Sequence, residues 1–196
     1  MDNSTTDVQE RQWIQSARQG EREAFDSLIE LHGRSVLRYL RHMCNSEADA
    51  EDLAQDVLYQ AFRRLSTFQD GTNFRSWLMT IAYHTWVHSK RRKSASELPS
   101  ETLDTLAAAP NRGQAQAEGA ENTEAGEAIQ ASLSRLSEDQ RTVVLLRFGE
   151  GLSHAEIAKI TKADPATVRW RLFKARQTLR RVLASWAPGM RQGGDK

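Results

Sequence analysis

A single cysteine, Cys44, in a chain of 196 residues excludes an internal disulfide and leaves no cysteine set for zinc. A lone thiol fits a reducing cytoplasm. Prolines number four, and no alternating β-branched runs occur. The expected fold class is therefore all-α. No apolar run approaches the ~18 residues that cross a bilayer, so no membrane span is expected. Met1 to Glu10 is polar and acidic, without the basic-then-apolar order of a secretion signal. The protein is expected to stay where it is made. Charge of one sign is not in excess either. Net charge is +1 with 27% charged residues, so composition alone does not mark a nucleic-acid binder. No glycine-rich phosphate cradle and no nucleophile with a base and orienter is evident, so neither cofactor nor catalysis is expected.

What is present is a set of helix starts. Asp7 precedes Glu10, Ser46 precedes Asp49, Ser137 precedes Gln140 and Ser153 precedes Glu156 at capping-box spacing or close to it. From Ser94 to Glu127 the character changes. This stretch has no aromatic residue, and its seven acids, from Glu97 to Glu127, face the single base Arg112. It cannot bury enough apolar surface to offset its ordering entropy and reads as a flexible acidic linker. Residues 1–93 and 128–187 are the expected helical domains, with 94–127 between them and a frayed tail over 188–196.

In the second domain, Leu152 to Thr161 reads as a short helix capped by Ser153, with Ala155, Ile157, Ala158 and Ile160 buried. Lys162-Ala163 turns the chain. Asp164 as N-cap with Pro165 at the first helical position opens a longer helix to about Ala184. Val168, Leu172, Ala175, Leu179 and Leu183 share one face of it. Arg169, Trp170, Arg171, Phe173, Lys174, Arg176, Gln177, Arg180 and Arg181 take the other. A short helix, a tight turn and a long basic helix are the parts of a DNA-binding helix-turn-helix. Its cations neutralise phosphates, and arginine holds guanine through two hydrogen bonds. A solvated basic helix whose aromatics belong to the core is the plainer reading.

In the first domain, a helix from Asp49 to Leu65 turns Leu53, Ala54, Val57, Ala61 and Leu65 inward. Asp52, Asp56, Tyr59 and Arg63 recur on another side, as a solvated stripe or a contact surface. A polar loop from Phe68 to Phe74 leads into a further helix, with Asn73 as cap. Leu78, Ile81, Ala82 and Trp77 suit a core. Tyr83, His84, Trp86 and the run Lys90-Arg91-Arg92-Lys93 do not all fit one. Rings interleaved with cations suit single-stranded nucleic acid, while a basic C-terminal end also suits a helix dipole. His84 and His88 stand four apart without a third ligand at fixed spacing, so no metal site is expected.

From about Trp13 to Leu183 this order of parts resembles the extracytoplasmic-function (ECF) group of RNA polymerase sigma factors. Asp49-Ala-Glu-Asp-Leu-Ala-Gln-Asp-Val-Leu-Tyr-Gln-Ala-Phe is similar to the segment that docks on the clamp coiled coil of the polymerase β′ subunit. Phe74-Arg-Ser-Trp-Leu-Met-Thr-Ile-Ala-Tyr-His resembles the segment that melts the −10 element and captures a flipped base. Leu136-Ser-Glu-Asp-Gln-Arg, Val143 to Arg147 and Gly151-Leu-Ser-His-Ala-Glu-Ile-Ala resemble the family's −35-reading domain.

The resemblance implies polymerase contacts by Asp49, Asp52, Gln55, Asp56, Tyr59 and Arg63. It implies −10 contacts by Phe68, Asn73, Trp77, Tyr83, His84, Trp86, Lys90, Arg91 and Arg92. It implies −35 contacts by Arg169, Trp170, Arg171, Phe173, Lys174 and Arg176. The partners it implies are core RNA polymerase (β′ clamp coiled coil and β flap), promoter DNA and an anti-sigma factor, met in the cytoplasm at the nucleoid. The family's linker runs through polymerase channels that otherwise carry nucleic acid, which suits an acidic strand. The family often has Asn where His84 stands, and glycine where Lys162 stands. A lone repressor or activator using only the helix-turn-helix, and a metal enzyme on His84 and His88, are the alternatives at this stage.

Overall fold

The computed structural model describes residues 3–96 and 124–186, with side chains over 8–95 and 128–182. The described residues are all-α, with no strand among them. The chain divides into two compact units, Met1–Gly113 and Gln114–Lys196. Each has its own core.

The first unit holds α1 (Asn3–Arg18), α2 (Arg22–Met43), α3 (Glu47–Arg64), a 3-10 turn (Leu65–Thr67) and α4 (Phe74–Ser96). α2 packs against all three other helices. Its apolar residues Phe25, Leu28, Val36, Tyr39, Leu40 and Met43 recur at helical spacing, and all are buried. α3 sets small Ala50, Ala54 and Ala61 among Leu53 and Val57, as its period predicts, and Leu65 is buried just past its end. Short side chains there let the backbones approach closely.

α4 packs against both α2 and α3, so its buried side is wide. Phe74, Leu78, Met79, Ile81, Ala82, Thr85 and Trp86 all lie inside. Two buried polar side chains of α4, Trp86 and Thr85, find partners. The Trp86 indole donates to the Met43 carbonyl at 3.2 Å, and Gln60 donates to the Thr85 hydroxyl at 3.0 Å. A buried donor left unmatched costs about 1–3 kcal/mol. Ser46 caps α3, accepting from the Asp49 amide at 3.1 Å, and Asn73 caps α4, accepting from the Ser76 amide at 3.1 Å. Asp7 does not cap. α1 begins at Asn3, which puts Asp7 inside the helix.

The second unit holds α5 (Glu124–Leu133), α6 (Glu138–Val144) closed by a π-turn (Leu145–Gly149), α7 (His154–Thr161) and α8 (Pro165–Trp186). Both expected capping boxes form, Ser137 with Gln140 and Ser153 with Glu156. α5, α6 and α7 pack against α8. Leu133, Leu136, Val144 and Ala175 form the cluster on which Leu145, Leu172 and Leu179 close. Ile157, Ala158 and Ile160 are buried as expected, but Ala155 is exposed. It sits at the second position of α7, on the turn that faces solvent. Leu183 falls outside the described side chains. α4 runs to Ser96 and α5 begins at Glu124, so both margins of the expected linker are helical. Its remainder, 97–123, and the tail expected over 188–196 lie outside the described residues.

Candidate nucleic-acid interface

The helix-turn-helix is built from α7 and α8. Lys162 takes the left-handed conformation (φ 52°) that ends α7, and the Ala163 amide donates to the Ala158 carbonyl at 3.0 Å. That is the place where glycine is favoured, because a Cβ crowds the backbone there. Asp164 then caps α8, accepting from the Thr167 amide at 2.8 Å and the Thr167 hydroxyl at 2.7 Å. The Thr167 hydroxyl, and secondarily its amide, hold the Asp164 carboxyl below the usual carboxylate range.

Val168 and Ala175 anchor α8 inward, so Arg169, Trp170, Phe173 and Arg176 face out. Trp170 and Phe173 are each 57% exposed, too open for core residues. The Lys174 ammonium lies over the Trp170 ring at 5.9 Å. Arg171 departs from the expected set. Its guanidinium pairs with Asp139 of α6 at 2.6 Å, with only 20% of the side chain exposed. The residue turns toward its own unit and not outward with its neighbours.

In the first unit, three rings close the loop that precedes α4. Phe68, Phe74 and Trp77 stand pairwise 5.3–5.6 Å apart between centroids. The tip between them, Gln69 to Asn73, is exposed. Trp77, Tyr83 and His84 are half-buried, the Tyr83 and His84 rings meeting edge-on at 5.3 Å. Lys90, Arg91 and Arg92 are exposed at the far end of α4. Phe68 is 4% exposed and Trp86 is 6% exposed, so both lie in the core of this unit. Phe68 supports the loop, and Trp86 carries the Lys90 ammonium 5.4 Å above its ring. Among the described residues no third metal-ligating side chain groups with His84 and His88.

The outer face of α3 carries Asp52, Gln55, Asp56, Tyr59 and Arg63, all exposed. The Arg63 guanidinium lies over the Tyr59 ring at 5.8 Å. Phe62 extends this face, 52% exposed, with its ring edge against Phe25 at 5.1 Å. Its three-residue spacing from Tyr59 was a usable signal, but a phenylalanine in a helix reads first as core. Asp49 stands apart from the group. Its carboxylate meets Lys93 of α4 at 2.8 Å, and chiefly Lys93, then the Ser46 hydroxyl, holds its pKa below the usual carboxylate range.

A helix-turn-helix in one unit and a helix of aromatics and cations in the other define a two-module DNA-binding protein. Residues 28–96 match the Sigma-70 region 2 family and residues 126–179 match Sigma-70, region 4. The chain is 32% identical over 164 residues to the ECF RNA polymerase sigma factor SigM of Mycobacterium tuberculosis, covering 84% of this chain and 79% of that one. It is 28% identical over 186 residues to the RNA polymerase sigma-H factor of Pseudomonas aeruginosa, covering 91% of this chain and 95% of that one. Its fold is similar to CnrH in complex with the cytosolic domain of CnrY, at TM-score 0.66 and 22% identity over 90% of this chain and 98% of that one. It is also similar to the sigma factor RpoE of Bartonella quintana, bound there to the anti-sigma factor NepR, at TM-score 0.64 and 24% identity over 81% and 96% of the two chains.

The chain belongs to the ECF RNA polymerase sigma factors, and its function is to direct transcription initiation at promoters. Among the described residues no helix is long and apolar enough to cross a membrane.

Proposed function

We propose that this sigma factor grips a promoter at two separated points, one with each unit, while a third exposed face holds the polymerase. The observation that supports this most is that each unit carries its own row of rings and cations, exposed on α8 and half-buried to exposed along α4. On α8 these are Arg169, Trp170, Phe173 and Arg176; along α4 they are Trp77, His84, Lys90, Arg91 and Arg92. Residues 128–187 place α8 in the −35 major groove, where arginine reads guanine edges and rings pack on thymine methyls. Lys174 adds a phosphate contact beside Trp170.

Residues 1–93 open and hold the −10 strand. The exposed loop tip that Asn73 closes receives an unpaired base, Trp77, Tyr83 and His84 line its path, and the basic end of α4 follows the backbone. The face of α3 from Asp52 to Arg63, with Gln55 and Phe62, binds the β′ clamp coiled coil of core polymerase, and the second unit binds the β flap. Residues 94–127 act as the tether. Neither half need bind DNA tightly alone, since attachment of both to one enzyme raises their effective concentration. The chain itself supplies no catalytic group. It acts in the cytoplasm at the nucleoid, and an anti-sigma partner holds it inactive.

Run-off transcription with purified core polymerase tests this reading. Start-specific transcripts are expected only when the chain is added. Tight promoter binding by the chain alone, with no transcript in the presence of core, would instead favour a free-standing repressor.

A further inference from the structure

Arg18 ends α1, ahead of the segment that matches region 2, and its side chain reaches the loop some fifty residues further on. Its guanidinium donates to the Leu65 carbonyl at 3.3 Å, to the Phe68 carbonyl, and to the Asp70 carboxylate at 2.8 Å. It also stands 5.7 Å from the centre of the Phe68 ring. One planar fork thus fastens the 3-10 turn, the first residue of the loop and a residue of its tip. Five N–H donors in a fixed fan suit arginine to this, and a lysine ammonium has no such span.

The rest of the loop is closed from within. Gln69 to Thr72 form a tight turn, with the Thr72 amide and hydroxyl both donating to the Gln69 carbonyl, at 3.2 and 2.6 Å. Gly71 supplies the positive φ (80°) that the turn needs. Asn73 passes directly into the cap of α4. The two ends are joined by the Phe68–Phe74 contact. An exposed polar tip on a rigid, buried base is the build of a preorganised binding loop. Loop ordering that is met in the free protein need not be met on binding.

We infer that Arg18 is a positioning residue for −10 recognition: by holding the Leu65–Asp70 backbone it presets the loop tip in the shape that accepts an unpaired base. This rests on the reading that the Phe68–Phe74 loop takes that base. The helix-end location of Arg18 also suits the dipole of α1, so the experiment must separate positioning from mere stability.

The test uses holoenzyme assembled from core polymerase and the full chain, carrying wild type, Arg18→Ala, Arg18→Lys or the tip double variant Gln69→Ala with Thr72→Ala. The ligand is a single-stranded −10 oligonucleotide, intact or with one abasic sugar at each position in turn. Arg18→Ala is expected to weaken binding about tenfold, the value of one or two hydrogen bonds' worth of ordering. Arg18→Lys, which keeps charge and stem, is expected to lose several-fold. Affinity for core polymerase and for a −35 duplex is expected to stay unchanged. At the one abasic position that empties the loop, wild type and variant should converge, because the partners of the cycle no longer couple.

Equal affinity of Arg18→Lys and wild type, or a loss that persists at every abasic position, overturns the inference. If the tip variant weakens binding while both Arg18 variants do not, the loop reads DNA without Arg18 and only the inference falls. If tip and Arg18 variants all bind as wild type, the loop reading falls with it. Should Arg18→Ala unfold, Arg18→Lys alone decides.

Discussion

Arg171 leaves the outward row of cations on α8 and pairs with Asp139 of α6 at 2.6 Å. The neighbours on either side, Trp170 and Leu172, point to solvent and to the core respectively, so a single helical turn separates three fates. The pair joins the recognition helix to the helix beneath it. With 59% of the Asp139 side chain exposed, its contribution to stability is at most about 1 kcal/mol.

Arg171→Ala is therefore predicted to leave the salt dependence of −35 binding nearly unchanged. Arg169→Ala or Arg176→Ala should each lower the slope of log K against log salt by about 0.9, the release of one phosphate's counterion. Salt titrations of a −35 duplex with holoenzyme separate these outcomes. A slope that falls as far for Arg171 as for Arg169 would mean the Asp139 pair opens on DNA.

Tyr59 and Phe62 are the large rings on the outer face of α3, 61% and 52% exposed. Exposed aromatics beside Asp52, Asp56 and Arg63 have the composition of a hot spot in a protein interface. Tyr59→Ala and Phe62→Ala are expected to weaken core polymerase binding by about tenfold or more each, near or above the 1–2 kcal/mol that marks such residues. Thermal unfolding should shift little for Tyr59→Ala, and somewhat more for Phe62→Ala, which also loses the Phe25 contact. Asp52→Ala with Asp56→Ala should slow association chiefly at low salt. Binding that is indifferent to both rings would make this a merely solvated face.

The helix-turn-helix was readable because its signals are local. Ser153 with Glu156, Asp164 with Pro165, and the spacing of Val168, Leu172 and Ala175 each act within a turn or two of helix. The fate of Arg171 was not readable, since three consecutive residues point 100° apart and only the position of Asp139 on another helix decides which turns inward. α4 posed the same difficulty. Packed on two sides, it buries residues nearly all round, so periodicity does not tell Trp86, which is buried, from Trp77, which is half-buried. Arg18 was invisible for a different reason. Its acceptors are mostly backbone carbonyls, and every residue has one.

Lys162 holds a left-handed conformation at φ 52° and is exposed. Lys162→Gly relieves the Cβ crowding and is predicted to stabilise the second unit by about 1 kcal/mol. The midpoint of urea unfolding should rise with no change in slope. A lowered midpoint would show that the lysine side chain contributes more than its backbone costs.

Cys44 has its thiol pKa raised from 9.0 to about 11, by burial first and by the Asp49 carboxylate second, with Lys93 opposing. Only the thiolate is nucleophilic, so alkylation of the native protein at pH 8 should run about a hundredfold slower than after unfolding. The native rate should keep climbing with pH until about 11, where the thiol titrates. Neutralising the neighbour with Asp49→Asn removes a charge that raises the pKa and should speed the reaction. Equal rates in the folded and unfolded chain would place the thiol in open solvent.

The dependence of promoter binding on polymerase is the central claim, and fluorescence anisotropy with a labelled promoter duplex measures it directly. Titrating the purified chain alone should give only weak, salt-sensitive binding, and titrating the chain with core polymerase should give tight binding that is lost when either the −35 or the −10 sequence is scrambled. Promoter affinity that is the same with and without core, or no association between the chain and core at all, would contradict it.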